Sequence, residues 1–483
     1  MPRPRKLPTR ARTSLTRWPV APEGVRIMRK ILVVACSLVA ACETVVPVSP
    51  PAAIPQPPSC AGKSGCITTV IGYGANELPV EMGALGYKTP MSHPLDLTVA
   101  TNGDVYFVDW NNHMIRVLDA KTQTTRTIAG TGEIGDLGSG GAAVKARLNH
   151  PTDMHFAADG SLLLASWHNS KIKKIDLVTG VITDVCGTGA RSFGGDGGPA
   201  IKAVLDLPSA LVIDAKGTLY IADQANMRIR TVDTADKITT YLGDRWVTDT
   251  GKKDGVAKID DKSRFVDCKG TPTADADKFQ LVPTVLADGT SGFKRFVNPA
   301  GAEVAMAIPL VNKCPSFGGD GGAVAQAGVA WQASQSAIPN GKMAIDKDND
   351  LLYLADSMNH RIRKIDLKTG IISTVAGNGT AAYAGDGGPA LAASLNAPLD
   401  LDLLADGSLI IADTFNHCIR KVDPLGKITT FAGTCGSKGG FEGDGALATA
   451  AKLKHPYGIA VDRKSGRVFI ADTRNHRIRA VEP

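Results

Sequence analysis

One hairpin motif recurs six times in the 483-residue chain, and this recurrence limits the fold more than any other feature. In the copy at 351–366, two apolar strands flank a break at 356–359. Four of the five steps between consecutive copies are 57 to 59 residues long, and the remaining step is 133 residues. Several strands per unit at a period of 40–60 residues indicate a propeller or a solenoid.

An Asp and an Arg change together within this hairpin. Both occur in five of the six copies, whereas the second copy has Ser166 and Lys173 in their places. The paired change predicts an ion pair across each hairpin. An Asn present in all six copies indicates a turn that requires its side chain or a left-handed backbone. The predicted pairs are Asp109–Arg116, Asp223–Arg230, Asp356–Arg363, Asp413–Arg420 and Asp472–Arg479.

The full pattern, Asp-x-x-Asn-His-x-Ile-Arg after Tyr-Ile-Ala, resembles the NHL-repeat family. The resemblance extends over about residues 67–483, apart from one insertion. It implies an all-β fold, a six-bladed β-propeller of four-stranded blades. Members of the family are mostly interaction scaffolds, and a few propellers of this kind are lyases or hydrolases.

Residues 67–72 read as the fourth strand of a unit whose first three strands are missing. The printed sequence stops at Pro483, after the third strand of the last copy. We therefore expect 67–72 to complete the sixth blade and to close the ring without an exposed edge.

The N-terminal region predicts export and lipidation. Residues 1–41 comprise an extension and, from about Met28, a signal peptide whose apolar run is too short to span a bilayer. Residues 39–42 resemble a lipobox, so we expect Cys42 to carry a lipid; an ordinary signal peptide is the alternative. The Pro-rich segment 42–66 reads as a stiff tether. We expect a bacterial envelope lipoprotein, at the outer membrane or cell surface, that contacts the membrane through its lipid only.

The net charge of +7 does not indicate nucleic-acid binding, because the first 41 residues carry +8 and leave about −1 for the remainder. We expect a monomer.

Export also favours cysteine pairing. The sequence does not fix the connectivity. Proximity or a shared segment favours the pairs Cys60–Cys66, Cys268–Cys314 and Cys418–Cys435, and Cys186 is then left without a partner.

The long step contains an insertion at about 245–314, with a hairpin predicted at 279–296. Because loops on a rigid scaffold commonly carry binding residues, we expect a protein or envelope polymer to bind the loops and the insertion. A decorated surface loop and a degenerate seventh blade are the alternatives. The Gly-Asp-Gly loops between blades indicate turns rather than phosphate or calcium sites.

The first strand of each unit carries the candidate site. Three units have Asp where the sixth has Gly458, and the innermost position of this strand places those carboxylates near one mouth of the central channel. They are a candidate metal or substrate site, with calcium or another divalent metal as the cation, although no cofactor is expected. The same units lack the Asp that stands at 462 in the sixth, and this paired loss favours the alternative, in which each Asp binds local backbone N–H groups. The principal hypothesis is a binding scaffold rather than an enzyme. A channel-centred, metal-assisted lyase or hydrolase is its competitor, and a purely structural envelope component is the third hypothesis. The candidate residues are Asp96, Asp153, His155, Asp400 and Asp402.

Overall fold

The computed structural model describes residues 54–78, 83–243, 317–331 and 338–483, together with the backbone of five short strands between residues 246 and 297. Six antiparallel blades surround a central channel, each built on the strand order first–second–third–fourth. The first strands contact one another in cyclic order, including the sixth with the first, so the ring is closed. The fold class predicted from the sequence is confirmed.

The innermost position in every blade belongs to the first strand, and the remaining three follow outward. The first strands are Pro94–Val99, Pro151–Phe156, Pro208–Ile213, Met343–Asp346, Asp400–Leu403 and Pro456–Val461. The second strands are Val105–Asp109, Leu162–Ser166, Leu219–Asp223, Leu351–Asp356, Leu409–Asp413 and Val468–Asp472. The third strands are Met114–Leu118, Lys171–Ile175, Arg228–Val232, Arg361–Asp366, Cys418–Val422 and Arg477–Val481. The fourth strands are Thr125–Ala129, Ile182–Cys186, Ile238–Leu242, Ile371–Ala376, Ile428–Ala432 and Cys66–Ile71.

Short 3₁₀ turns occur at two repeated places. Between the second and third strands they are Trp110–Asn112, Trp167–Asn169, Gln224–Asn226, Ser357–Asn359, Thr414–Asn416 and Thr473–Asn475. Ahead of the first strands they are Gly86–Lys88, Ala143–Lys145, Ala200–Lys202, Val324–Gln326, Ala390–Ala392 and Ala448–Ala450. None of the helices in the described residues is long and apolar enough to cross a membrane.

The predicted Asp–Arg ion pair is present in all five hairpins that carry both residues. In the first blade Arg116 Nη1 lies 3.3 Å from Asp109 Oδ2, and both side chains are almost fully buried. The side-chain amide of Asn112 donates to the same carboxylate at 3.0 Å. Of the two explanations offered for the repeated Asn, the turn therefore requires its side chain and not a left-handed backbone at that residue. The left-handed residue is the next one, His113, at φ 53°. The other pairs are Asp223–Arg230, Asp356–Arg363, Asp413–Arg420 and Asp472–Arg479.

The Asp of each Gly-rich loop has a role beyond the turn that the sequence predicted. Arg230 contacts the hairpin Asp223 at 3.3 Å and also Asp196 of the preceding loop at 2.6 Å. In the second blade, Lys173 contacts Asp136 and Asp184, each at 2.7 Å, and so replaces the missing hairpin pair. In the second to sixth blades, one buried cation of the hairpin therefore pairs with an Asp of the loop before it. In the first blade, Arg116 donates instead to the Pro90 carbonyl.

Closure by residues 67–72 is confirmed. Cys66–Ile71 is antiparallel to Arg477–Val481, with Thr69 opposite Arg479, and the short strand Ala446–Leu447 lies on its other side. The disulfide Cys60–Cys66 fixes the segment that precedes this strand.

The predicted pair Cys418–Cys435 is also a disulfide, and Cys186 is a buried free thiol. Cys42, Cys268 and Cys314 lie outside the described residues.

The described strands of the insertion form two small sheets rather than a seventh four-stranded blade. One is a hairpin that matches the predicted one, and the other has three strands. Their bounds are Trp246–Thr248, Val256–Ile259, Phe265–Val266, Gln280–Val285 and Ser291–Val297.

Candidate functional site

A single repeat position places six residues around the channel. It lies at the start of each first strand, at the third residue of the Pro-x-Asp triplet in three of the blades. Lys342 of the fourth blade occupies this position, and sequence reasoning missed it. In chain order the six residues are Asp96, Asp153, Ala210, Lys342, Asp400 and Gly458.

The three carboxylates at this position join each blade to the next. Asp96 accepts from the backbone N–H of Met154 at 2.8 Å, and Asp400 accepts from that of Ile459 at 2.8 Å. Asp153 accepts from Leu211 N–H at 2.5 Å. The innermost strand is an edge whose N–H groups need partners, and these carboxylates supply them. The alternative drawn from the sequence was that each Asp binds local backbone N–H groups. In the structure, the bound N–H groups belong to the neighbouring blade.

Lys342 crosses the channel to two of these carboxylates. Its Nζ donates to Asp96 Oδ1 at 2.5 Å and also to Asp153 Oδ1. The fourth blade faces the first in a ring of six, so one ammonium group ties opposite walls together. Lys342, Asp96, Asp153 and Asp400, here called the Lys342 cluster, are each less than a tenth exposed.

Burial dominates the electrostatics of the Lys342 cluster. It raises the pKa of the Asp96 and Asp153 carboxyls, an effect that Lys342 opposes. The pKa of Asp400 rises to about 7 for the same reason. Burial acts against the charged form of Lys342, but Asp153 and Asp96 hold its pKa above the ordinary value. This lysine is therefore a permanent cation at neutral pH and not a nucleophile.

Gly458 is required where the sixth blade meets the first. A Cβ at this residue would clash with the Leu95 carbonyl oxygen and would lie 3.1 Å from the Asp96 Cα. The first strands of these two blades thus approach too closely for any side chain at this point.

Asp402 and His155 lie two residues further along their strands. Asp402 accepts from Val461 N–H at 2.8 Å and lies 3.5 Å from the guanidinium of Arg463. Burial, together with Lys347 and Arg463, lowers the pKa of His155 to about 4, so its imidazole is neutral at pH 7.

A cavity of about 590 Å³ extends from the Lys342 cluster toward the ends of the first strands. We call it the channel cavity. All five residues predicted from the sequence line it, namely Asp96, Asp153, His155, Asp400 and Asp402.

The donor set at the inner end of the channel cavity fits an ammonium better than a divalent metal. Lys342 already occupies the point on which Asp96 and Asp153 converge. The second oxygen of each carboxylate is bound to a backbone N–H group. Within the described ranges, no group of three or more His, Cys, Asp or Glu side chains is arranged to hold a metal.

Histidines occupy the opposite opening of the channel, at the other end of the first strands. Four of these histidines directly follow the hairpin Asn. Each accepts a hydrogen bond at Nδ1 from a backbone N–H group of the next blade, as His476 does from His93 N–H at 3.2 Å. Burial lowers the pKa of His476 to about 4, which keeps Nδ1 free to accept. The same bond joins His113 to His150, His360 to Ala397 and His417 to His455.

Two family models match short parts of the chain. The model described as NHL repeat matches residues 453–480, and the one described as Teneurin NHL domain matches residues 189–233. NHL repeat-containing protein 2 of Homo sapiens is 25% identical over 296 residues, which are 57% of this chain and 39% of that protein. Protein SUPPRESSOR OF QUENCHING 1, chloroplastic, of Arabidopsis thaliana is 32% identical over 160 residues, 31% of this chain and 15% of that protein. The chain thus matches less than half the length of each of these relatives.

Among solved structures, an auxiliary nutrient binding protein from Bacteroides thetaiotaomicron aligns with a TM-score of 0.52 at 17% identity, over 86% of this chain and 75% of that one. A likeness at this identity shows the fold alone. The matched repeats and the ring of six blades together support an NHL-repeat propeller.

Proposed function

We propose that this NHL-repeat propeller is an exported binding module, anchored to the bacterial envelope by a lipid on Cys42, whose partner is a protein or an envelope polymer. The Lys342 cluster is the observation that carries the proposal. Its carboxylates are engaged by Lys342 and by backbone N–H groups that join the blades, so they serve closure of the ring rather than metal-assisted hydrolysis or elimination. A ring held this rigidly suits a platform that presents loops.

The loop between the first and second blades supports a contact surface outside the channel. Ile134 and Leu137 lie on this loop with 55% and 62% of their surfaces exposed. The insertion at about 245–314 leaves the ring after the third blade, so it is the second segment that we assign to the partner.

Deletion of residues 250–310 tests the partner surface. Chemical cross-linking in intact cells should trap a partner on the parent chain and not on the deletion variant, while the circular dichroism spectrum of the ring is retained. Protease or glycosidase treatment of the cross-linked product then distinguishes a protein from a polymer. Equal cross-linking by both chains would remove the insertion from the proposal.

Labelled palmitate tests the anchor separately. It should enter the parent chain and should not enter Cys42→Ser. Equal labelling of the two chains would refute lipidation at this residue, without bearing on partner binding.

A further inference from the structure

We propose that the sixth blade is a redox-sensitive switch in the ring. Reduction of the disulfides Cys60–Cys66 and Cys418–Cys435 releases the strand Cys66–Ile71, here called the closing strand, while the other five blades stay folded. This inference concerns the ring alone, so it depends neither on the proposed partner nor on the lipid anchor.

The first disulfide closes a short loop that contacts the segments on both sides of the closing strand. Within this loop, Gly65 N–H donates to the Glu482 carbonyl at 3.0 Å, and the Gly65 carbonyl accepts from Ala448 N–H at 2.8 Å. Glu482 directly follows the third strand of the sixth blade, and Ala448 directly follows the short strand on the other side. The bond between Cys60 and Cys66 therefore holds Gly65 between its two partners.

The second disulfide makes the joint before the sixth blade covalent. In the fourth blade, Arg361 begins the third strand and donates to the Asn378 carbonyl of the following loop at 2.9 Å. Cys418 begins the third strand of the fifth blade, and its partner Cys435 lies in the loop that follows. A covalent bond thus stands at the entrance to the sixth blade, where the fourth blade has a hydrogen bond.

The loop that contains Cys435 extends to the closing strand. Its Asp444 accepts from Thr69 Oγ1 at 2.6 Å and from Arg479 Nε at 3.0 Å. The loop then continues into Ala446–Leu447, which pairs with the closing strand on its outer side. Cys435 therefore fixes one end of a loop whose other end covers the closing strand.

The sixth blade is the one in which such bonds have the largest effect. In each of the other five blades the four strands follow one another along the chain, whereas the sixth combines segments from opposite ends of the printed sequence. The entropic cost of closing a loop grows with its length, and a disulfide reduces the freedom of the opened state. Both disulfides of the described residues act on this blade. Without them, local opening of the closing strand becomes easier than opening of any other blade.

The exposure of the cysteines sets the order of reduction. Cys435 is half-buried, whereas Cys60, Cys66 and Cys418 are each at most 2% exposed. A thiolate of dithiothreitol attacks the Cys435 sulfur, the Cys418 thiolate leaves and takes up a proton, and the second thiol of the reagent completes the exchange. Each protein disulfide gains two electrons and two protons, and the dithiol becomes a cyclic disulfide. The buried Cys60–Cys66 bond is reduced after the loop that covers the closing strand has been released.

Hydrogen–deuterium exchange with mass spectrometry on the purified chain at pH 7 tests the proposal. After treatment with dithiothreitol, exchange in peptides covering 66–71 should be at least tenfold faster, and exchange at 162–175 in the second blade should be unchanged. Reoxidation should restore protection of 66–71. Unchanged protection of 66–71 after reduction, verified by alkylation of the released thiols, would overturn the proposal, as would equal acceleration in all six blades.

Variants assign the effect to each disulfide without a reductant, which would also act on cysteines outside the described residues. Cys60→Ser with Cys66→Ser, and Cys418→Ser with Cys435→Ser, should each speed exchange at 66–71. Cys186→Ala, which removes the buried free thiol, should not change it. Unchanged exchange in either double variant would refute the role of that disulfide. If a double variant does not fold, reduction of the folded parent chain still decides the question.

Discussion

Replacement of Lys342 by Met should destabilise the ring strongly and in a pH-dependent manner. The variant keeps most of the length of the side chain but leaves Asp96 and Asp153 buried without their shared cation. Loss of one partner from a buried ion pair lowers the free energy of unfolding by about 3–5 kcal/mol. Because Lys342 pairs with two carboxylates, we expect the free energy of unfolding at pH 8 to fall by an amount at the upper end of that range.

The pH dependence follows from the two carboxyls. Burial has already raised the pKa of both, and it should raise them further once the ammonium is gone. A raised folded-state pKa gives stability that is present at low pH and is lost as the pH rises through that value. The loss caused by Lys342→Met should therefore be smaller at pH 5, where the carboxyls can be protonated, than at pH 8.

Urea denaturation followed by tryptophan fluorescence measures this loss. Lys368→Met is the matched control in the same blade: that side chain is 64% exposed and lies 3.5 Å from Asp350, so its removal should cost less than about 1 kcal/mol. Adding Asp96→Asn and Asp153→Asn to Lys342→Met should recover part of the stability. A loss below about 1 kcal/mol at pH 8, or one of equal size at pH 5 and pH 8, would refute an electrostatic role for this lysine.

Three further predictions concern the joints between and within blades. Gly458→Ala should cost about 1–3 kcal/mol in urea because of the clash with the first blade, whereas Gly318→Ala, with no atom within 4 Å, should be close to neutral. Asp413→Ala should lower stability by about 1–3 kcal/mol, since it removes one of the two carboxylates that pair with the buried Arg420 and leaves Asp386 as the other; intact stability would refute the ion-pair interpretation. His476→Gln should cost about 1 kcal/mol at pH 7. Since the folded-state pKa of His476 is lowered to about 4, the stability it gives is present above its ordinary pKa and is lost as the pH falls through 4, so a difference that persists at pH 4 would count against the interpretation.

The repeat made most of the fold predictable from the sequence. Six aligned copies located the strands, the Asp–Arg pairs and the closing strand, because each blade repeats the same local chemistry. The copies also identified Asp96, Asp153 and Asp400 as departures on the innermost strand. What they did not provide was the reach of a side chain across the channel, which depends on the three-dimensional ring and not on spacing within a blade.

Lys342 shows where the comparison between copies was incomplete. The long insertion precedes its blade, and Asn340-Gly-Lys342 stands where three other blades have Pro-x-Asp and the remaining two have Pro-x-Ala and Pro-x-Gly. Alignment of Met343-Ala-Ile-Asp346 with Ile459-Ala-Val-Asp462 would have placed Lys342 at the Gly458 position. A lone cation among three carboxylates at one repeat position is the signal that could have found it.

Closure of the ring has a consequence for how the chain acquires its fold. Thr69 pairs with Arg479, so the sixth blade unites segments from opposite ends of the printed sequence. Contacts so distant along a chain form slowly, because a long loop must close before they can stabilise anything. As the chain emerges N-terminus first into the compartment where it folds, five blades can assemble while the strand at 66–71 still lacks its partner. Throughout that interval the chain presents unpaired strand edges, and its aggregation hazard is greatest just before the last hairpin emerges.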